Sequence, residues 1–316
     1  MILKNDTKIY IAGHNGMTGS AILRKFKSEG FENLIMADKA ELNFLNQTST
    51  LEYFLKNKPE IVIISAAKVG GIKANMDFPA QFIYENLTIQ NNLIHSAFLS
   101  GTKKIVFLGS SCIYPRNCPQ PMKEEYLLTG PLEPTNEAYA VAKIAGIKLA
   151  ENYNQQYGLE ILLAMPCNLY GTNDNFDPDN SHVLSALVRR FVNAVDNNLD
   201  EVDIWGTGSA KREFMHVDDF AEAIYFLLNN YSSPKIINIG WGKEISIKEL
   251  AELIAEKSNF KGRLNWDSTK PDGMPLKRMD VSKLNELGFT PGISLKEGIE
   301  KTIMEYKELK SKGKIK

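Results

Sequence analysis

The chain has 316 residues, enough for one large α/β unit or two lobes with ample cores. Its 37 Lys and Arg against 38 Asp and Glu leave a formal charge of -1, which excludes the positive field of a nucleic-acid binder or of a protein held on anionic membranes. At 43% hydrophobic and 24% charged the composition is that of an ordinary globular protein, and no apolar run approaches the roughly 20 residues of a bilayer span.

The start, MILKNDTKIYIAG, lacks the basic flank, apolar stretch and cleavage site of a secretory signal, so a cytoplasmic location is expected. Three cysteines, Cys112, Cys118 and Cys167, are too few for a disulfide framework and are expected as free thiols. The first β-branched run, residues 8–12, leads directly into Gly13-His14-Asn15-Gly16-Met17-Thr18-Gly19, and a helical pattern (Ala21, Ile22, Phe26) follows, ending near Gly30. Glycines at this junction permit a tight turn and a close backbone approach to a pyrophosphate, while the helix start supplies free N–H groups. The spacing is G-x-x-G-x-x-G, so the strand–turn–helix context carries the nucleotide reading, not the glycines alone.

A second strand, 33–37, ends at Asp38, which is positioned to accept hydrogen bonds from the ribose of NAD; the adjacent Lys39 could instead pair with a 2'-phosphate. Strands at 61–65, 104–108 and 161–165 alternate with helical stretches, a pattern of parallel strands with right-handed crossovers and hence a doubly wound, Rossmann-like α/β sheet. Ser110 stands at the end of the 104–108 strand. Tyr139 and Lys143 lie four apart in a helical stretch, so their side chains share one face; an ammonium beside a phenol favours the phenolate and suits proton exchange with a sugar oxygen.

Beyond residue 165 the chain leaves the sheet through the polar excursion NLYGTNDNFDPDNSH, read as a substrate loop. A helix at 182–195, the run VDIW, a helix at 218–228 and a returning sixth strand in KIINIG are expected next. From 247 onward follow a helix, a short strand near 263–266, the loop KPDGMPLKR, a helix at 294–306 and a Lys-rich tail read as a frayed end. The division is thus a dinucleotide-binding unit of residues 1–170 plus 215–242, and a smaller substrate lobe of residues 171–214 plus 243–316. His216 is read as structural, and no metal site is expected.

The blocks IAGHNGMTGSAI, SAAKVGGI, FLGSSCIYP, LEPTNEAYAVAKIAGIKL, MPCNLYG, DNSHV, REFMHVDD and KPDG span almost the whole chain, which resembles the extended short-chain dehydrogenase/reductases and, among them, the GDP-L-fucose synthase family. The resemblance implies 3,5-epimerisation and 4-reduction of GDP-4-keto-6-deoxy-D-mannose. It implies catalytic roles for Ser110, Tyr139 and Lys143, and an epimerisation pair in Cys112 and His182. Leu108, Gly109, Ser110, Ser111, Pro166, Cys167, Asn168, Leu169 and His182 are implied to line the cofactor beside the glycine loop. Arg190, Trp205, Arg212 and Asp272 are implied to hold the GDP-sugar, by bidentate hydrogen bonds to a diphosphate and by an aromatic face. NADP(H) is the implied cofactor; Asn15, where relatives often carry Arg, and Asp38 leave NAD(H) open. A homodimer through paired helices is also implied, and the small residues of AYAVAKIAGIKLA permit close helix approach.

A C4-reductase of a related GDP-4-keto-6-deoxy-sugar, such as a heptose, would show the same motifs. A 4,6-dehydratase would carry an acidic pair where Ser111 and Cys112 stand, and a 4-epimerase would retain its cofactor through the cycle. A non-catalytic nucleotide sensor would not need the Tyr, Lys and Ser.

Overall fold

Strand β1 (Ile9–Ala12) in the computed structural model, which describes residues 3–178, 181–270 and 272–315, is apolar and buried at every position. It ends at Gly13, in the left-handed region at φ 85°, where a side chain would lie 2.7 Å from the Ala66 backbone nitrogen. The turn feeds α1 (Met17–Ser28), which buries Ala21, Ile22 and Phe26 at helical spacing. Strand β2 (Leu34–Ile35) has only two residues, shorter than the expected 33–37, because this half-buried edge strand pairs only with Ile9 and Tyr10. Next come α2 (Gln47–Asn57), capped by Asn46, then β3 (Ile61–Ile64), α3 (Ile72–Asp77), α4 (Pro79–Leu99) and β4 (Lys104–Leu108). Helix α5 (Glu137–Tyr157) ends at Gly158, a left-handed stop, and turns into β5 (Glu160–Pro166) and β6 (Asn168–Tyr170).

The remaining elements are α6 (Val183–Asp196), β7 (Glu201–Trp205), β8 (Lys211–His216), α7 (Val217–Asn230), β9 (Ile236–Ile239), β10 (Glu244–Ser246), α8 (Ile247–Ser258), β11 (Arg263–Asp267), β12 (Leu276–Lys277), α9 (Ser282–Glu286) and α10 (Leu295–Ser311). Six strands form one parallel sheet in the order β2-β1-β3-β4-β5-β9, so the expected returning strand closes its far edge. The order reverses between β1 and β3, and the crevice beyond their C-terminal ends is where a doubly wound sheet binds nucleotides. Strand β8 organises a second, smaller sheet with β10 antiparallel and β6 and β12 parallel, while β7 pairs with β11.

Two apolar clusters back these sheets. One takes in β1 to β5, α7 and β9, together with Met279, Val281, Leu284 and Phe289. The other joins Tyr170, Phe176 and α6 to Phe214, α8 and α10. The tail is more ordered than a frayed end: α10 runs to Ser311, and Lys310 donates to Asn193 Oδ1 and Asp196 Oδ2 on α6, both at 2.7 Å. Among the described residues no helix is long and apolar enough to cross a membrane.

Candidate active site

The glycine loop forms a cradle with no room for side chains. A Cβ at Gly19 would sit 2.2 Å from the Gly13 carbonyl oxygen and 2.7 Å from Ser65 Oγ, so α1 approaches the sheet as only glycine allows. Gly16 precedes the helix, and the first-turn N–H groups beyond it suit an anion. These features fit the pyrophosphate of a dinucleotide. Asp38 is exposed; its Oδ1 accepts from Asn15 Nδ2 at 2.5 Å and lies 3.3 Å from His14 Nε2, so loop and strand end are already tied together. The free ribose acceptor expected at this position is therefore engaged by the loop itself. Lys39 beside it is exposed.

The Tyr–Lys pair stands as its spacing requires. Lys143 is buried and donates to the Leu108 carbonyl at 2.8 Å, its Nζ 5.8 Å from the centre of the Tyr139 ring. Burial pushes the Lys143 ammonium down to about 8. Burial and the neighbouring Cys112 push the Tyr139 phenol up, while its hydrogen bond with Ser110 pulls it down. Ser110 ends the extended run and accepts from the Cys112 N–H at 3.2 Å, starting the 3-10 turn Ser111–Ile113 that brings the thiol back toward the same oxygen site.

Cys112 holds two donors that the sequence did not reveal. Asn136 Nδ2, immediately before α5, donates to its Sγ at 3.1 Å, and Lys277 Nζ, from β12, lies 3.5 Å away. Asn136 had a faint signal in its place beside the Tyr–Lys helix; Lys277 had none, being one cation in a polar loop. Leu108, Gly109 and Ser111 lie with Ser110 at the C-terminal end of β4, and Pro166, Cys167, Asn168 and Leu169 at that of β5. Cys167 is fully enclosed and its thiol is pushed well up by burial and Glu213, which supports packing over chemistry.

His182 is the residue before α6 and is exposed; among the described residues no hydrogen bond joins it to Cys112 or Tyr139. Asp179 and Asn180 of the DNSHV block, and Pro271 of KPDG, lie outside the described residues. The excursion is anchored at Asn173 and Asp174. Asn173 donates through Nδ2 to the Asn15 carbonyl at 2.8 Å and through its backbone N–H to Glu305 at 2.6 Å, while Asp174 accepts from Ser185.

The implied sugar-nucleotide residues come from four elements: Arg190 from α6, Trp205 from the end of β7, Arg212 from β8 and Asp272 from the loop before β12. Trp205 is 60% exposed, with the Arg190 guanidinium 6.0 Å and the Lys270 ammonium 5.6 Å from its ring centre. Arg212 donates to the Met274 carbonyl at 2.5 Å and to the Asp272 carbonyl at 3.3 Å. Asp272 in turn accepts from Thr207 N and Oγ1, each at 2.7 Å, which stitches its loop to the turn after Trp205. His216 caps α7, accepting the Asp218 N–H at 3.2 Å, a structural role as expected.

A doubly wound sheet with a glycine cradle at its switch point, a Tyr-x-x-x-Lys helix against a strand-end serine and a second sheet whose Lys277 reaches Cys112 defines an extended short-chain dehydrogenase/reductase. The model of the NAD dependent epimerase/dehydratase family matches residues 9–240. The chain belongs to that family and, within it, to the GDP-L-fucose synthases. It is 56% identical over 307 residues to "Putative GDP-L-fucose synthase 2" of Arabidopsis thaliana, covering 97% of this chain and 94% of that one. It is 46% identical to the "GDP-L-fucose synthase" of Escherichia coli, covering 95% and 97%. Among solved structures it is similar to "MlghC, GDP-mannoheptose C4 reductase from Campylobacter jejuni with NADP bound", with TM-score 0.89 and 39% identity, covering 96% and 99%.

Proposed function

We propose that this protein is an NADPH-dependent enzyme that epimerises GDP-4-keto-6-deoxy-D-mannose at C3 and C5 and reduces C4, forming GDP-L-fucose. The observation that carries the reading is the convergence, at one strand end, of Ser110, Tyr139 and Lys143 with a thiol, Cys112, between two donors. A ketone at C4 acidifies the hydrogens on both neighbouring carbons, because each carbanion is an enolate, so one acid/base pair serves both centres.

Cys112 removes the proton from one face and His182 supplies one to the other. Ser110 and Tyr139 hold the C4 oxygen throughout, and Tyr139 gives it a proton in the reduction. Lys143 braces the Leu108 carbonyl and the cofactor ribose. NADPH, when bound, supplies the hydride. Gly13, Asn15, Gly16, Met17 and Gly19 would hold the cofactor's pyrophosphate, Asp38 and Lys39 its ribose, and the β4 and β5 ends its nicotinamide. Arg190, Trp205, Arg212 and Asp272 hold the GDP portion, Trp205 as a stacking face between two cations.

We divide the chain functionally as a cofactor unit, residues 1–170 and 215–242, and a sugar-nucleotide lobe of the remainder, with residues 279–289 packing back on the first. The free thiols of Cys112, Cys118 and Cys167 support a reducing, cytoplasmic setting. The outward apolar side chains of α4 and α5, Tyr84 and Val141 among them, support a homodimer through those helices.

The test is GDP-4-keto-6-deoxy-D-mannose in heavy water with this protein and, separately, NADPH or NADH, followed by NMR and mass spectrometry. Deuterium at C3 and C5 with GDP-L-fucose formed is the expected result, faster with NADPH. The likeness to a GDP-mannoheptose C4 reductase supports a second reading, C4 reduction of a longer GDP-keto-sugar. Reduction of the heptose alone would select it.

A further inference from the structure

We propose that Lys277 is a positioning residue for epimerisation, holding Cys112 as the thiolate that takes the protons beside the C4 ketone; the inference rests on the function proposed above. Lys277 Nζ stands 3.5 Å from Cys112 Sγ, the one hydrogen-bond acceptor its ammonium has among the described residues. It is half-buried, and no described carboxylate pairs with it. The acids nearest along the small sheet are committed elsewhere. Glu213 accepts from the N–H groups of Gly242 and Met279 at 2.6 and 2.8 Å, and Glu244 pairs with Arg278 at 2.7 Å. An ammonium partly stripped of water and given no carboxylate is costly unless another anion meets it, and a thiolate at Cys112 is that anion.

The surroundings of the sulfur agree. Asn136 adds a second donor at 3.1 Å, so Sγ receives two hydrogen bonds. The ionisable groups that face Cys112 are the Lys277 ammonium and the Tyr139 phenol, and Lys277 also acts on the thiols of Cys118 and Cys167. A negative sulfur keeps Tyr139 protonated, which is the state needed to donate to O4 afterwards. In the base step Sγ forms an S–H bond as the C–H bond breaks, and the electron pair moves to the C4 oxygen as an enolate. His182 then protonates the opposite face of the carbon, the ketone re-forms, sulfur returns its proton to water, and His182 regains one from water. Nothing is oxidised or reduced.

Delivery of the cation is tied to the sugar nucleotide. Lys277 is the register partner of Arg212 in the β12–β8 ladder, and Arg212 holds the loop leading to Lys277 through the Asp272 and Met274 carbonyls. The residues implied to grip the GDP portion thus also seat the ammonium against the thiol.

The experiment measures alkylation of Cys112 by iodoacetamide in the full chain, followed on its tryptic peptide by mass spectrometry from about pH 5 to about pH 10. Lys277→Met should move the midpoint upward and slow alkylation at pH 7 by about tenfold, and Lys277→Arg should restore most of it. Deuterium exchange at C3 and C5 should follow the same displaced pH profile, with kcat falling more than KM rises. Should Lys277→Met fail to fold, Lys277→Gln reads the same midpoint. An alkylation profile identical to that of the native protein in a folded variant overturns the proposal. A shifted alkylation profile with no exchange even in the native protein would leave the pair standing and remove the proposed substrate.

Discussion

At the scale of single residues the site separates two chemistries that share a ketone. Tyr139→Phe removes the proton donor for reduction but leaves the thiol in place, so reduction should fall by about 10²- to 10⁴-fold while deuterium exchange at C3 and C5 persists. Cys112→Ala should do the reverse when the sugar is supplied already epimerised, and full-rate exchange in that variant would remove Cys112 as the base. Lys143 carries a second consequence. Its folded value, near 8, lies below its ordinary 10.5, so between these two the unfolded chain binds the extra proton and folding stability rises with pH. Urea melts of the cofactor-free protein should therefore show the native chain gaining on the order of 3 kcal/mol relative to Lys143→Met from pH 8 to 10.5, with no gain below that window. Tyr139, Lys143 and Ser110 were legible because helix spacing and a strand end place them locally. The Lys277–Cys112 contact joins positions 165 residues apart, and no local pattern encodes it.

At the scale of elements, α1 on β1 is the most demanding contact of the cofactor half. The nearest atom that a side chain at Gly19 would strike is the Gly13 carbonyl oxygen, part of a backbone that cannot swing aside as a flexible side chain would. Gly19→Ala should thus distort the cradle and weaken NADPH binding at least about tenfold, measured by quenching of protein fluorescence, with a loss of about 1–3 kcal/mol in stability. The parallel sheet was readable because its strands are near-continuous apolar runs between helical periods. The edge strand β2 was overestimated, since alternation cannot say where a neighbour stops pairing. The end of α10 was underestimated: Lys310 looks like a solvated tail residue until α6 brings Asn193 and Asp196 to it.

At the scale of the molecule, Tyr84 and Val141 are 66% and 38% exposed on α4 and α5, large apolar side chains turned to solvent. Gel filtration with light scattering should report twice the chain mass, and Tyr84→Arg should shift it toward the monomer; a native monomer would remove the dimer. The two apolar clusters, meanwhile, are threaded by one chain that passes between them after Cys167, between Phe214 and Met215, between Ile239 and Leu250, between Phe260 and Met279, and between Phe289 and Ile299. Five crossings leave the two clusters without a single hinge, and a rigid body is the expectation. Small-angle scattering profiles with and without NADPH and GDP should superimpose, where a hinged enzyme would contract. Such a molecule resembles a vise already set to one width: choice among GDP-sugars is exercised at the entrance, by what passes into a standing gap, and not by which guest persuades the jaws to shut.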